Sequence, residues 1–380
     1  MRFQEAYESW QARRLSQDEA AQLLGMCGRS FRRYVARHEA DGPEGLLDRR
    51  ISQASARRAP VDEVVRMVEL YRSRYTGWNV RHFYGRYQGE HQGERSYTWV
   101  KSALQKAGAV PVGQLKGAHR KRRERAPLAG MLLHQDGSQH AWVAGQVWDL
   151  IVTMDDATSE VYSAFFVEEE GTFSSFRGVR EVIEQRGLFC AFYSDRGSHY
   201  WLTPEAGGKV DKEHPTQFGR ALRHLGIEMI AAYSPEARGR SERMFRTLQD
   251  RLPKELTLAG ITAMAAANDF LKQRFLPAFN QEFIVAAAEP GSAFVPFIGA
   301  NLQDILCVQE ERTVGGDNCV RYQGKSLQIP ATTHRCHYVK ARVRVQEYQD
   351  GTLAVFHGPR LLARYDQGGQ ELKPKLKEAA

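Results

Sequence analysis

The sequence lacks the features that mark membrane proteins, zinc-thiolate proteins and disulfide-rich proteins. No apolar run approaches the roughly 20 residues that a bilayer-spanning helix needs. The five cysteines include no Cys-x-x-Cys pair, which argues against a zinc-thiolate site and a disulfide framework. Scattered, unpaired thiols are typical of a reducing compartment, so we expect a soluble protein of the cytoplasm.

The charge of the chain is only moderately unbalanced. There are 53 Lys and Arg against 45 Asp and Glu, a formal net charge of +8. The basic residues concentrate in the first 125 positions and near the C-terminus, which favours a polyanionic partner for those regions. With 42% hydrophobic residues, the 380-residue chain has enough apolar surface for several domains of roughly 100–200 residues each.

Residues 1–48 are predicted to be helical. Ser16 and Glu19 have the spacing of a capping box, and Gly25 ends the helix that follows. A second helix over 28–38 directs four basic side chains outward: Arg29, Arg32, Arg33 and Arg37. A helix, a glycine-containing turn and a basic helix form the plan of a helix-turn-helix DNA-binding domain. An ordinary helical hairpin with a solvated basic face is the alternative.

A polar linker at 49–60 leads to a second helix-turn-helix-like unit over 61–110. Its last helix exposes candidate DNA contacts at Arg95, Thr98 and Lys101. A basic linker follows at 111–128, and its charge run contains Arg120, Lys121, Arg122 and Arg123. Such a run is usually a solvated linker. Beside two candidate DNA-binding units, it also suits contact with the phosphate backbone.

From residue 129 the pattern becomes mixed α/β. Alternating and apolar runs predict three antiparallel strands at 132–136, 148–155 and 161–167, and then alternating helices and strands over 174–252, with a helical extension to 290. Residues 303–370 are β-rich, and the alternation over 338–346 places Lys340, Arg342 and Arg344 on one face of a strand. A small β-barrel with one basic wall is the expected shape. The fold class is therefore multidomain: α, then α/β, then β.

Three acidic residues stand out by their context. Asp136 is predicted at the end of the first strand, Asp195 after a buried strand, and Glu242 in the first turns of a helix. Converging carboxylates repel one another unless cations neutralise them, and oxygen ligands suit Mg²⁺, with Mn²⁺ as a substitute. Taken singly, each acid also fits a turn or a helix cap. Nearby basic candidates for holding the DNA backbone are Arg196, Arg243 and Arg246, together with His199.

The pair Asp155-Asp156 is the main competitor for a catalytic role. We interpret it as the turn that closes the second strand.

Several motifs together resemble bacterial insertion-sequence transposases of the retroviral-integrase superfamily, in particular the ISNCY-like group. The resemblance covers nearly the whole chain. Its most specific parts are Ser194-Asp-Arg-Gly197 and Gly239-Arg-Ser-Glu-Arg243; Asp136-Gly-Ser, Asp155-Asp-Ala-Thr158 and the β-rich segment Val320–Pro330 also match.

The resemblance implies a ribonuclease H-like catalytic core over 129–290, with Asp136, Asp195 and Glu242 as catalytic residues and Mg²⁺ ligands. It further implies cleavage at terminal inverted repeats, transfer of the 3′ ends to target DNA, and a homo-oligomer that holds two DNA ends. No membrane or small-molecule cofactor is expected.

Two departures from the family pattern concern the last helix. Many relatives place the second and third acids closer together than Asp195 and Glu242, which are 47 residues apart here; the surplus falls in a polar loop at 200–214. Relatives often carry Lys or Arg seven residues after the Glu, where this chain has Gln249.

Two alternative functions remain open from the sequence. A catalytically silent DNA-binding relic or regulator would keep the domains without the chemistry, and a structure-selective nuclease would keep the chemistry without reading a sequence. The presence of all three acids argues against the first, and tandem helix-turn-helix units argue against the second.

Overall fold

The computed structural model describes residues 2–48, 59–113, 124–205, 208–233, 239–299, 301–331 and 335–372. The chain divides into two compact units: Met1–Thr76 with Thr98–Pro111, and Gly77–Tyr97 with Val112–Ala380. Among the residues described, no helix combines the length and the apolar composition that crossing a membrane requires.

The helices of the described segments are α1 (Arg2–Gln11), α2 (Gln17–Leu23), α3 (Gly28–Asp41), α4 (Val61–Arg74), α5 (Val80–Glu90), α6 (Tyr97–Lys106), α7 (Thr172–Arg186), α8 (Gln217–His224), α9 (Gly239–Leu258), α10 (Met264–Phe270) and α11 (Leu276–Phe283). The strands are β1 (Leu132–Val143), β2 (Gln146–Asp155), β3 (Val161–Val167), β4 (Ala191–Ser194), β5 (Glu228–Ala231), β6 (Val308–Thr313), β7 (Cys319–Tyr322), β8 (Lys325–Gln328), β9 (Arg342–Glu347), β10 (Leu353–His357) and β11 (Arg360–Tyr365).

Helices α1, α2 and α3 pack around a small apolar core in the first unit. Phe31 and Val35 of α3 are buried against Ala20 and Ala21 of α2, and α1 contributes Ala6 and Tyr7. The predicted capping box is confirmed, because the Ser16 amide donates to the Glu19 carboxylate at 2.7 Å and the Glu19 amide donates to the Ser16 hydroxyl. Gly25, with φ of +69°, forms the turn between α2 and α3.

A five-stranded mixed sheet lies at the centre of the second unit, in the order β3-β2-β1-β4-β5. β1, β2 and β3 form the predicted antiparallel meander. β4 runs parallel to β1, and β5 runs parallel to β4. This order and these directions are those of the ribonuclease H-like core that the resemblance implied.

Helices cover both faces of this sheet, and each face has its own apolar core. On one face α7 and α8 bury Phe176, Val179 and Phe218 against Leu133 and Phe192. On the other face α9, α10 and α11 pack against β1 and β2 through a cluster that includes Met244, Phe245, Leu248, Leu252, Leu271, Phe275, Trp142, Val152 and Met154. The layers therefore place α9 over the sheet face opposite α7.

Strand β1 extends further than the sequence predicted. We expected it to end at Asp136, whereas it continues through Gly137 to Val143 and pairs with β2 from Leu133 to His140 and, after a register shift, at Val143. The polar residues after Asp136 suggested a loop, but they belong to a long hairpin whose far end is closed by the fully buried Trp142. Asp136 consequently lies in the middle of a strand.

The predicted C-terminal barrel is wrong for the residues that the structure describes. Their strands form an open four-stranded sheet, β11-β10-β9-β6, and a separate two-stranded sheet, β7-β8. The two sheets share one core, in which Val320 and Leu327 pack with Val343 and Val345.

The alternation that suggested a strand from residue 338 is broken at Lys340. Its φ is +63°, so β9 begins only at Arg342. Arg342 is exposed as predicted, whereas the Arg344 guanidinium lies over the Phe356 ring at 5.6 Å. The sequence Asp350-Gly351, which is typical of a hairpin turn, lies in the turn between β9 and β10.

Helix α5 is docked onto α9 by buried charged side chains within the second unit. Glu255 of α9 has only 5% of its surface exposed. His82 Nε2 lies 2.6 Å from its Oε1, and Arg86 donates to both of its carboxylate oxygens. A carboxylate at this depth is stable only while its partners remain in place.

We expect Glu255→Ala to destabilise the second unit by about 3 kcal/mol, because it leaves the buried His82 and the half-buried Arg86 without their carboxylate. Thermal unfolding will show a lower Tm, and hydrogen exchange will show faster exchange of the α5 amides. Glu90→Ala is the matched control, since Glu90 pairs with the same arginine at the surface. It should cost less than about 1 kcal/mol. Equal losses in the two variants would contradict this account of the docking.

Candidate active site

Two of the three predicted acids are brought to the same level of the central sheet. The parallel register of β1 and β4 pairs Leu133 with Phe192 and His134 with Tyr193. Asp136 and Asp195 each lie two residues further along the chain, Asp136 within β1 and Asp195 directly after β4. Because side chains alternate along a strand, the two aspartates come to neighbouring positions at the point where β4 ends.

The surroundings of the two aspartates differ. Asp136 is 8% exposed, because it lies under the layer of helices on its sheet face. Asp195 is half-buried, and its Oδ1 accepts a hydrogen bond of 2.9 Å from the Gly197 amide, which makes a tight turn directly after β4. This turn fixes the Asp195 carboxylate at the carboxyl end of its strand.

The pKa of the buried Tyr200 hydroxyl is raised in part by the negative charge of nearby carboxylates. The Tyr200 hydroxyl donates to Gln135 Oε1 at 3.0 Å. Burial raises the pKa of Tyr200 well above its ordinary value, and the charges of Glu170, Asp136 and Asp195 raise it further. Three carboxylates are therefore within electrostatic reach of one hydroxyl. Sequence reasoning missed Glu170, which is the last residue of the run Glu168-Glu169-Glu170 before α7.

Helix α9 is anchored along β1 at two points. Near its start, Arg240 forms an ion pair with Asp156, and Asp156 accepts a hydrogen bond of 2.7 Å from His134 of β1. Further along, Gln249 Nε2 donates to the Ser138 hydroxyl of β1 at 2.9 Å. Nine helical residues and four strand residues both span roughly 13 Å. The helix therefore follows the strand across the segment that contains Asp136.

Glu242 lies between these two anchors, in the first turn of α9. It precedes Gln249 by seven residues, or about two helical turns, so the two side chains project from nearly the same side of the helix. The Glu242 side chain is exposed. Within the described segments, no three His, Cys, Asp or Glu side chains are close enough to hold one metal ion. The strand register thus places the two aspartates at one level of the sheet, with Glu242 on the adjacent helix.

The competing pair of carboxylates has a structural role. Asp155 is fully buried and accepts hydrogen bonds from the Gly130 amide at 2.9 Å and the Thr158 amide at 2.8 Å. Asp156, also fully buried, accepts from His134 and from the Ala126 amide at 2.7 Å. These bonds close the turn after β2, as the sequence suggested.

The arrangement around Asp156 controls its protonation. Burial acts to raise the pKa of Asp156. The hydrogen bonds from His134 and the Ala126 amide, with the charge of Arg240, outweigh burial and hold the pKa well below its ordinary value. Asp156 is therefore an anionic anchor for the first turn of α9.

The predicted DNA-contact residues differ in their surroundings. Exposed ones are Arg29, Arg32 and Arg33 of α3, Thr98 and Lys101 of α6, and Arg243 and Arg246 of α9; Arg95 is partly exposed. Two others have structural hydrogen bonds: Arg37 donates to the Leu47 carbonyl at 2.5 Å, and Arg196 donates to the Gly208 carbonyl at 2.8 Å. Arg120, Lys121, Arg122 and Arg123 lie outside the described residues.

Comparison with known sequences finds two transposases. The transposase y4bF of Sinorhizobium fredii is 31% identical over 355 residues, which cover 90% of this chain and 75% of the relative. The transposase for insertion sequence IS1202 of Streptococcus pneumoniae is 31% identical over 161 residues, which cover 42% of this chain and 34% of that protein. No family model matches the chain.

Comparison with solved structures finds retroviral proteins of low similarity. The simian T-cell lymphotropic virus intasome bound to a PP2A regulatory subunit aligns with 81% of this chain and all of that chain, at 14% identity and a TM-score of 0.34. The magnesium complex of the HTLV-2 integrase catalytic core domain aligns with 40% of this chain and 90% of that chain, at 17% identity and a TM-score of 0.31. At these TM-scores, the assignment of the fold rests on the strand order instead.

The pKa of Asp156 predicts how stability depends on pH. A carboxyl group whose pKa is lowered by folding stabilises the protein above its unfolded pKa, ordinarily 3.8, and this contribution is lost as pH falls below that value. We expect Asp156→Asn to lower the Tm at pH 7, by the equivalent of about 3 kcal/mol. We also expect a shallower decline in Tm between about pH 5 and pH 3.

Thermal unfolding across that pH range measures both effects. Glu168→Gln, a change at an exposed carboxylate, is the control and should follow the wild-type profile. Parallel pH profiles for wild type and Asp156→Asn would contradict the prediction.

Proposed function

The chain belongs to the transposase family that includes y4bF of Sinorhizobium fredii, and on that premise we propose that it is a transposase of the integrase type. It binds the terminal inverted repeats of an insertion sequence, cleaves the 3′ ends and joins them to target DNA. The observation that supports this proposal is the parallel β1–β4 register, since Asp136 and Asp195 each lie two residues beyond the pair His134–Tyr193 and Glu242 lies on the helix that follows β1.

A divalent metal cofactor fits the residues at this site. Asp136 and Asp195 offer hard oxygen donors, and their charges act together with that of Glu170 on the buried Tyr200 hydroxyl. Such a concentration of negative charge is favourable only when cations neutralise it. Mg²⁺ prefers carboxylate oxygens and retains waters, and Mn²⁺ substitutes for it.

In this proposal Asp136 and Asp195 hold the cofactor from the sheet, and Glu242 supplies the third carboxylate from α9. When bound, the metal would stabilise charge on the phosphate oxygens and activate the attacking hydroxyl. The protein itself positions these carboxylates. The Gly197 amide holds Asp195 by a hydrogen bond, and the contacts of Arg240 and Gln249 hold the helix that bears Glu242. Exposed Arg243 and Arg246 on the same helix offer positive charge to a DNA backbone.

Sequence recognition belongs, in this proposal, to the helices of the first unit. Helices α2 and α3, joined at Gly25, would act as a helix-turn-helix, with Arg29, Arg32 and Arg33 of α3 facing DNA. In the predicted helix-turn-helix-like segment at 61–110, Thr98 and Lys101 of α6 would contact DNA, as would Arg95, which precedes α6 and belongs to the second unit. The basic linker at 111–128 would follow the phosphates. Two such units recognise a longer site than one, as an inverted repeat demands. Joining two ends requires a homo-oligomer on the DNA, within the bacterial cytoplasm.

The decisive experiment is strand transfer in vitro. Labelled DNA from both flanks of the gene is incubated with protein, supercoiled target and Mg²⁺ or Mn²⁺. We expect joined products that EDTA abolishes. Asp136→Asn, Asp195→Asn and Glu242→Gln should each reduce product at least about a hundredfold, because losing even an outer-shell partner of a metal ligand typically costs 10–100-fold.

Glu228→Gln, at an exposed carboxylate on the edge strand β5, is the control and should retain activity. Tight binding of the DNA ends without nicking or joining in either metal would support a catalytically silent DNA-binding protein instead. Cleavage of branched DNA without joining would support a structure-selective nuclease.

DNA affinity tests the role of α3. Arg32→Ala and Arg33→Ala should each weaken binding to the terminal DNA, and loss of one phosphate contact should reduce the slope of log K against log salt by about 1. Fluorescence anisotropy at several salt concentrations gives both values. Lys272→Ala changes an exposed lysine far along the chain and is the charge-matched control. If Lys272→Ala weakens binding as much as the α3 variants do, the helix-turn-helix assignment is wrong.

A further inference from the structure

Three consecutive glutamates join β3 to α7, and they have different surroundings. Glu168 and Glu169 are exposed. The side chain of Glu170 is 26% exposed and turns toward the sheet. Its backbone is held in place, because the Glu170 amide donates to Asp149 Oδ2 of β2 at 2.8 Å. This hydrogen bond to a strand of the central sheet fixes the position of the Glu170 backbone.

The Glu170 carboxylate occupies the space that a side chain at residue 137 would need. A Cβ atom on Gly137 would lie 2.1 Å from Glu170 Oε2, far inside van der Waals contact. Gly137 directly follows Asp136 in β1, and its side-chain position faces α7, on the opposite side of the strand from that of Asp136. The absence of a side chain there lets the Glu170 carboxylate approach β1 within one residue of Asp136. This close approach gives a physical reason for glycine at a position where the backbone alone does not require it.

The Glu170 carboxylate has little compensation from the protein. No described residue donates a hydrogen bond to it. Its nearest basic neighbour is His199, whose Nε2 lies 3.4 Å from Oε1 but forms no hydrogen bond with the described residues. A partly buried carboxylate normally has hydrogen-bond donors or a bound cation. Since no described residue donates a hydrogen bond to the Glu170 carboxylate, a bound cation would be the group that compensates its charge beside the two aspartates.

We propose that Glu170 is a fourth acidic residue of the active site and that it holds a divalent cation together with Asp136. This inference rests on the proposed function, since it assigns a further ligand to the same metal site. Glu170 and Asp136 come from different elements, the β3–α7 connection and β1. Metal binding would therefore link the start of α7 to the central strand.

Direct titration of Mn²⁺ tests the assignment without relying on activity. Mn²⁺ binding to the full-length protein is followed by electron paramagnetic resonance. We expect Glu170→Gln to raise the Kd about tenfold or more. Glu169→Gln removes the same charge one residue away at an exposed position, and it should bind Mn²⁺ like the wild type.

Thermal unfolding separates a ligand from a structural residue. In EDTA, Glu170→Gln should be at least as stable as the wild type, because it relieves repulsion between carboxylates. On addition of Mn²⁺, its Tm should rise less than that of the wild type. A lower Tm in EDTA with an unchanged Mn²⁺ shift would show a structural role and overturn the proposal.

A second variant moves the carboxylate without removing any charge. Gly137→Ala places a methyl group where Glu170 Oε2 lies and must displace it. We expect weaker Mn²⁺ binding, in the same direction as Glu170→Gln. The double variant should bind no more weakly than Glu170→Gln alone, because both changes act through one carboxylate.

Strand-transfer assays on the same preparations separate the two proposals. If the wild type joins DNA ends and Asp195→Asn does not, while Glu170→Gln binds Mn²⁺ like the wild type, the fourth ligand is wrong and the transposase function stands. If the wild type neither binds Mn²⁺ nor makes product, both proposals fall together.

Discussion

The parallel register of β1 against β4 brings two aspartates to one level of the sheet, and the turn after β4 and the β3–α7 connection lie around the charge that results. Gly197 fixes Asp195 from its amide, and Gly137 leaves room for Glu170. A stable core rarely gathers carboxylates in this way, because their repulsion opposes folding. This repulsion occurs where β4 ends beside β1. The two apolar cores on the faces of the sheet stabilise the unit against it.

Helix α9 places charged side chains alongside the central strand β1. Its two anchors are polar, through Arg240 and Gln249, while its buried side packs with the apolar cluster on that face. The departure from the family pattern at Gln249 has a structural counterpart here, since this amide bonds to Ser138 of β1. A neutral side chain suits that position because its partner is a hydroxyl group.

Local patterns predicted the parts of the fold that depend on neighbouring residues. Alternation located β3 correctly, and the Ser16 capping box and the Asp350-Gly351 turn follow from short-range hydrogen bonds. Those local patterns do not predict contacts between residues that are far apart in the sequence. The continuation of β1 past Asp136 depends on β2, and the docking of α5 depends on Glu255, which is 173 residues from His82. Glu170 was missed for the same reason, because only the folded sheet distinguishes it from Glu168 and Glu169.

The division of the chain into units has a consequence for how this protein could be altered by recombination. The segment Gly77–Tyr97 belongs to the second unit, although residues of the first unit flank it on both sides. A single crossover near residue 110 would therefore exchange more than the helices of the first unit. It would also replace α5. The new helix would then have to pair with the buried Glu255 carboxylate of α9, which in this chain contacts His82 and Arg86. Changes in the first unit should therefore be tolerated more readily as substitutions on exposed helix faces than as exchanges of whole N-terminal segments between relatives.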